Sequence, residues 1–147
     1  MMDTLYINRP LLGDGVDILI GYAYAVGLKD VVDDLHVTVA FSTTEVDWRK
    51  DAFTPKMDQV LVKGDNRRLT RFGSAVVLEI TSKELSKRWA QLVLAGASWD
   101  YKEYRPHVTL AYDPDTDFSD FPVPSIPLLF GAEEREPVDV GYIQSIE

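Results

Sequence analysis

The chain has 147 residues, no cysteine, 24 acidic side chains against 15 lysines and arginines, and a net charge of −9. The missing cysteines exclude disulfides, thiolate nucleophiles and Cys-based zinc sites, and the acidity disfavours a surface that grips duplex DNA or RNA. A hydrophobic content of 46% excludes a disordered chain and suits a single domain over residues 1–147.

In chain order, Thr4–Asn8 reads as a strand ending near Arg9-Pro10. Asp14 is placed to cap a helix through Val16, Leu19, Ile20, Ala23 and Tyr24, with Gly27 as its stop. Leu35–Ser42 alternates as a strand, with Val37, Val39 and Phe41 on one face and His36, Thr38, Ala40 and Ser42 on the other. A polar connector, residues 43–56, carries Trp48. Residues 59–63 and 67–72 read as strands around the turn signal Gly64-Asp65-Asn66, so a hairpin is expected, and Ser74–Ile80 reads as a further strand. Thr81-Ser82-Lys83-Glu84 spells a capping box with Thr81 at the N-cap. It opens a helix with the stripe Leu85, Trp89, Leu92 and Val93, ending at Gly96. His107–Asp113 alternates again, with Val108, Leu110 and Tyr112 opposite His107, Thr109, Ala111 and Asp113. Residues 114–127 form a Pro-rich loop or lid, followed by Leu128–Gly131 and a last strand at Val138–Ile143.

The order strand, helix, His strand occurs twice, loosely. The expected fold class is α+β: two pseudo-symmetric lobes, a concave and mostly antiparallel sheet, and helices outside it.

Both histidines of the chain fall in the same phrase, His36-Val37-Thr38-Val39-Ala40-Phe41 and His107-Val108-Thr109-Leu110-Ala111-Tyr112. By ordinary residue usage this coincidence is on the order of 1 in 10⁴ or rarer. On a strand, imidazole and hydroxyl two residues apart project from one face, roughly 6.6 Å apart. Two such strands supply what phosphodiester transfer requires: a neutral imidazole to take a proton, a protonated one to give it back, and hydroxyls for the phosphate oxygens. The expected catalytic set is His36, Thr38, His107 and Thr109, with no metal and no cofactor. A two-His metal site completed by Asp113 or Glu103 is the alternative, but the repeated threonine suits phosphate better than metal.

At these residues the chain resembles the 2H phosphoesterase superfamily, whose two His-hydrophobic-Thr/Ser-hydrophobic motifs sit on pseudo-symmetric lobes. Within it the chain is most similar to the phage anti-CBASS phosphodiesterases, through Leu5-Tyr6-Ile7-Asn8-Arg9-Pro10-Leu11-Leu12, the first His phrase followed by Ser42 and Val46-Asp47-Trp48, and Phe130-Gly131. The resemblance implies metal-free cleavage of 3′–5′ linkages in small cyclic di- and trinucleotides, with the ribose 2′-hydroxyl as nucleophile, in the cytoplasm of an infected bacterium. One histidine then deprotonates that hydroxyl and the other protonates the 5′-oxygen; the sequence leaves open which. For the rest of the pocket it points to Tyr6 as a base-stacking residue, Trp48 in the same cleft, Glu134 and Glu136 as acidic contacts, Tyr142 as the aromatic contact of a C-terminal lid, and Arg9 and Arg105 as charges near the phosphates. Duplex nucleic acid and membranes are not expected partners, and the oligomeric state is left open. Two other functions fit the motifs: a 2H enzyme acting on RNA ends (2′,3′-cyclic phosphates or 2′–5′ linkages), and a non-catalytic nucleotide sponge.

Overall fold

The computed structural model describes residues 1–139. Its elements run β1 (Met2–Leu12), α1 (Asp14–Ala25), β2 (His36–Asp47), β3 (Val60–Val62), β4 (Arg68–Phe72), β5 (Ala75–Glu79), α2 (Lys83–Leu94), β6 (His107–Tyr112), β7 (Leu128–Phe130) and β8 (Glu134–Glu136). The strands form one sheet in the order β3-β7-β1-β2-β6-β5-β4, with β8 also on β1. All its strand pairings are antiparallel.

The edge strands β3 and β4 are near neighbours in sequence. Laid flat, that seven-strand path would hold them roughly 29 Å apart at about 4.8 Å per strand. The short link from Val62 to Arg68 reaches at most about 21 Å. The sheet must therefore curl, and its concave face becomes a cleft. Leu19 and Ala23 of α1 and Leu85 and Leu92 of α2 pack on the other face with Leu5, Ile7, Val37, Val39, Val76, Leu78, Val108 and Leu110. Each of these leucine, isoleucine and valine side chains, fully buried, contributes about 1.5–3 kcal/mol.

The hairpin expected around Gly64-Asp65-Asn66 is absent. β3 pairs with β7, and β4 pairs with β5 at the other edge. The side chain of Arg67 sets this course, donating to the carbonyls of Val62 and Lys63 on one side and of Pro124 and Ile126 on the other. Gly64 makes the crossing possible, because a Cβ there would lie 1.8 Å from the Ser125 carbonyl oxygen.

Helix starts shift by one residue from expectation. Asp14 sits in the first turn of α1, where its charge favours the helix dipole, and Gly13 (φ 71°) occupies the cap. In α2 the cap is Ser82, whose hydroxyl accepts from the Leu85 amide at 3.2 Å, and Thr81 instead donates to the Asn66 carbonyl. Residues 114–127 are irregular, but the Tyr22 hydroxyl donates to the Pro122 carbonyl and Arg71 to the carbonyls of Asp113 and Thr116. This segment contributes no side chain to the cleft. The expected strand at Val138–Ile143 falls mostly outside the described residues, and Val138 itself donates its amide to the Thr4 hydroxyl rather than joining a strand.

Candidate active site

Both His strands lie at the centre of the sheet, joined through Val37 opposite Val108. That antiparallel register sets His36 on the Thr109 side of the seam and Thr38 on the His107 side. All four side chains line one cleft of about 520 Å³, within the size range of small-ligand sites.

Each imidazole is fixed in the same manner. His36 Nδ1 lies 2.9 Å from the carbonyl oxygen of Asp34, and His107 Nδ1 lies 2.8 Å from that of Arg105, in both cases two residues upstream. A carbonyl can only accept, so Nδ1 carries the hydrogen in both rings. Nε2 is then the atom left for a ligand, as a base when the ring is neutral and as an acid when it is protonated.

Beyond the threonines the alternation expected from the sequence breaks down. In β2, Ile7 pairs with Ala40 but Asn8 pairs with Thr38, so Val39 is an extra residue. In β6, Val76 pairs with Ala111 but Val77 pairs with Thr109, so Leu110 is extra. Each strand thus carries a β-bulge at the same place in its His phrase. The bulge turns two successive residues to the core, Val39-Ala40 and Leu110-Ala111, and all four are buried there. Ala40 and Ala111 therefore do not face the substrate side, as expected, and Phe41 and Tyr112 line the cleft in their place.

The two lobes differ in what flanks each histidine. His36 is opposite Pro10 of β1. His107 is opposite Glu79 of β5, which is in turn opposite Arg68 of β4. Glu79 accepts from Arg105 Nε at 3.1 Å, Thr70 Oγ1 at 2.6 Å and Arg68 Nε at 3.2 Å. Burial opposes ionisation of Glu79, but these bonds outweigh it and hold the carboxyl below its ordinary range. Arg105 lies 4.8 Å over the Phe72 ring, and Phe72 meets His107 edge-on at 4.8 Å. Burial in this company pushes the His107 imidazole below its ordinary value; the Arg105 carbonyl and the Glu79 charge pull the other way, and His36 and the Arg105 cation add to the lowering.

One wall of the cleft comes from the loop between α2 and β6, through Trp99, Tyr101, Lys102, Glu103 and Arg105. An aromatic cluster stiffens it: Trp89 stacks on Tyr104 at 5.5 Å and 6°, and Trp99 meets Trp89, Tyr101 and Tyr104 edge-on. The Tyr104 hydroxyl donates to the Thr38 carbonyl at 2.7 Å, tying the loop to the first motif. Of this wall, the residues expected from the sequence are Arg105, and Glu103 as an alternative metal ligand. The run Trp99-Asp100-Tyr101-Lys102, aromatic and polar just before a His strand, was the signal available.

The chain matches the sequence model of the anti-CBASS protein Acb1 family over residues 3–145. The chain belongs to the anti-CBASS Acb1 family. It is 42% identical over 125 residues to the anti-CBASS protein Acb1 of Sphingomonas paeninsulae, covering 78% of this chain and 20% of that protein. The corresponding figures for the anti-CBASS protein Acb1 of Caulobacter sp. (strain RHG1) are 35% over 150 residues, 97% and 24%. For that of Escherichia phage RB16 they are 34% over 83 residues, 55% and 46%. The chain thus spans a fifth to a quarter of the length of the two bacterial relatives. Among solved structures, E. coli LigT complexed with NADP+ superposes with a TM-score of 0.63 at 17% identity, covering 95% of this chain and 96% of that one. E. coli LigT complexed with 3′-AMP gives 0.56 at 17%, covering 95% and 97%. At such identities the likeness is one of fold, a LigT-like 2H phosphoesterase fold.

The other pocket residues expected from Acb1-family resemblance are distributed unevenly. Arg105 lines the cleft. Glu134 and Glu136 are exposed on β8, opposite Asn8 and Tyr6, whose other partners are Thr38 and Phe41. Their side chains therefore share the face of the sheet that carries the cleft, but neither lines the cleft itself. Tyr6 lies in that same row, but it is buried behind Phe41, whose ring it meets edge-on at 5.8 Å.

Arg9 is a correction. The alternation that buries Leu5 and Ile7 carries Arg9 to the core side, where it donates to the carbonyls of Asp58 and Gly131 and pairs with buried Glu133 at 3.7 Å. Trp48 is another: its indole donates to the Thr4 carbonyl, and the Arg135 guanidinium covers its ring at 4.4 Å, so it pins the end of β2 outside the cleft. Tyr142 lies outside the described residues.

Proposed function

We propose that the chain is a metal-independent phosphodiesterase that cleaves 3′–5′ linkages of cyclic di- and trinucleotide immune signals, a counter-defence enzyme against CBASS acting in the bacterial cytoplasm. The observation that carries the reading is the matched pair of imidazoles, each oriented through Nδ1 by a carbonyl two residues upstream, beside Thr38 and Thr109 in one cleft with aromatic walls. Membership of the anti-CBASS Acb1 family supports the substrate class, and no described helix is long and apolar enough to cross a membrane.

In this reading His107 is the base. Its burial favours the neutral ring, so Nε2 takes the proton of the ribose 2′-hydroxyl as that oxygen attacks phosphorus. His36, on the opposite lobe, gives a proton to the 5′-oxygen as the P–O5′ bond breaks. The first products are a 2′,3′-cyclic phosphate and a 5′-hydroxyl. Thr38, Thr109 and Arg105 hold the non-bridging oxygens, where negative charge develops. Trp99 and Tyr101 offer faces on which bases stack, contacts worth roughly 1–3 kcal/mol each.

The test is incubation of purified protein with cyclic di- and trinucleotides in EDTA, with products resolved by chromatography. Cleavage is expected, with losses on the order of 10²–10⁴-fold in both His36→Ala and His107→Ala. A 2′-deoxy analogue is expected to survive; its cleavage at the full rate would exclude the 2′-hydroxyl as nucleophile. Turnover abolished by EDTA would sink the metal-free mechanism, and tight binding without turnover would make the protein a sponge.

A further inference from the structure

We infer that Glu79 is a positioning residue for His107: its carboxylate favours the imidazolium that His107 becomes on taking a proton, and its grip on Arg105 steadies the carbonyl that fixes the ring. The inference rests on the reading of His107 as the base. Glu79 itself touches no reacting atom.

The geometry begins with register. Glu79 is the residue of β5 directly opposite His107, so both side chains leave the same face of the sheet. Glu79 is buried beside the cleft with three neighbours that donate to it. One of them, Arg105, supplies the backbone carbonyl that accepts from His107 Nδ1. The carboxylate therefore acts on His107 twice, through space and through the residue that orients it. On the other lobe the matching position opposite His36 is Pro10, which has no charge to offer. A pair of motifs alike in sequence is thus unlike in setting.

Electrostatics gives the same direction. A base must be neutral at rest and must then hold a positive charge in the transition state. Burial secures the first condition at His107, and a nearby fixed negative charge secures the second. Among the described residues, the other charges around His107 are His36 across the seam, Arg68 beyond Glu79, and Lys102, Glu103 and Arg105 on the adjoining loop. Arg71, at the same cleft, is held by the carbonyls of Asp113 and Thr116. Of the two carboxylates, Glu79 is the one in cross-strand register with His107.

The test is an NMR titration of the two histidines in Glu79→Gln, Glu79→Asp and Arg68→Gln, with pH profiles of cleavage in parallel. Glu79→Gln is expected to lower the His107 pKa by on the order of one unit and to leave His36 much less affected. The acid limb of the pH profile then moves to lower pH while the plateau falls. Glu79→Asp, which keeps the charge, is expected to bring His107 back toward the wild-type value. A merely structural role predicts the opposite sign, because loosening the site would relieve the burial and let His107 rise. A rise or no change in Glu79→Gln overturns the inference. Should that variant fail to fold, Arg68→Gln decides: Arg68 is mostly exposed, and its loss leaves Glu79 less neutralised, so His107 must rise, and an unchanged titration overturns the proposal. A wild type that cleaves no cyclic nucleotide would remove the proposed function, yet the titration would still judge Glu79.

Discussion

In the proposed reaction, a threonine hydroxyl two residues after a histidine is placed for a charge that appears only in the transition state. Thr38 and Thr109 line the cleft beside the two imidazoles, so Thr38→Val and Thr109→Val keep shape and volume while removing one donor each. Steady-state kinetics should show kcat falling on the order of 10²–10³-fold with a smaller change in KM; a change confined to KM would mean the hydroxyls bind only the ground state. His107 also leaves a signature in stability. Its native pKa lies below the ordinary value because burial disfavours the cation, so the unfolded chain binds more protons in the window between the two. Stability therefore rises with pH there, and the penalty grows as pH falls from about 6.5 toward the lower native value. Urea unfolding of wild type and His107→Gln across pH 5–8 should show the difference between them changing in the variant's favour as the pH drops.

Elements decide which residues reach the cleft, and here the bulges matter most. A strict period of two places Phe41 with Val37 and Val39, and Tyr112 with Val108 and Leu110. The extra residue in each strand reverses that for everything after the bulge. Ala40 and Ala111 are consequently small because they follow a bulged neighbour into a packed core, and both are almost fully buried. Ala40→Val and Ala111→Val should each destabilise by about 1–3 kcal/mol through overpacking, read as a lower melting temperature; unchanged melting would place these side chains in open space. The His-x-Thr pairs were legible in the sequence because their chemistry repeats, as were the long amphipathic elements. The bulges were not, since a Val-Ala or Leu-Ala step looks the same in a regular strand as in a bulged one. Arg9 was misread for a related reason: it follows Ile7 onto the core face, and nothing local in the sequence reveals the carboxylate that meets it there.

That carboxylate ties the molecule together over long sequence distances. Glu133, fully buried, accepts from Arg88 of α2 at 2.8 and 3.0 Å and lies 3.7 Å from Arg9 of β1. It also receives the Lys56 amide, and Arg88 reaches the carbonyls of Ala52 and Thr54. One acidic side chain thus joins the first strand, the connector after β2, the second helix and the approach to β8. Two buried guanidiniums depend on it, so Glu133→Ala should cost about 3–5 kcal/mol, the penalty for leaving buried charge unpaired rather than the net worth of the pair. For a chain of this size that is on the order of a 10 °C fall in melting temperature. Replacing Arg9, Arg88 and Glu133 together by methionine should recover most of that loss, because no orphaned charge remains. The cluster borders Tyr104, whose hydroxyl holds the Thr38 carbonyl, yet it touches neither histidine. Below its melting temperature Glu133→Ala should therefore keep the wild-type pH profile, whereas Glu79→Gln should shift it. A displaced profile in Glu133→Ala would mean that the buried cluster also sets the field at His107, and the separation between a scaffold that supplies stability and a cleft wall that tunes the base would fail.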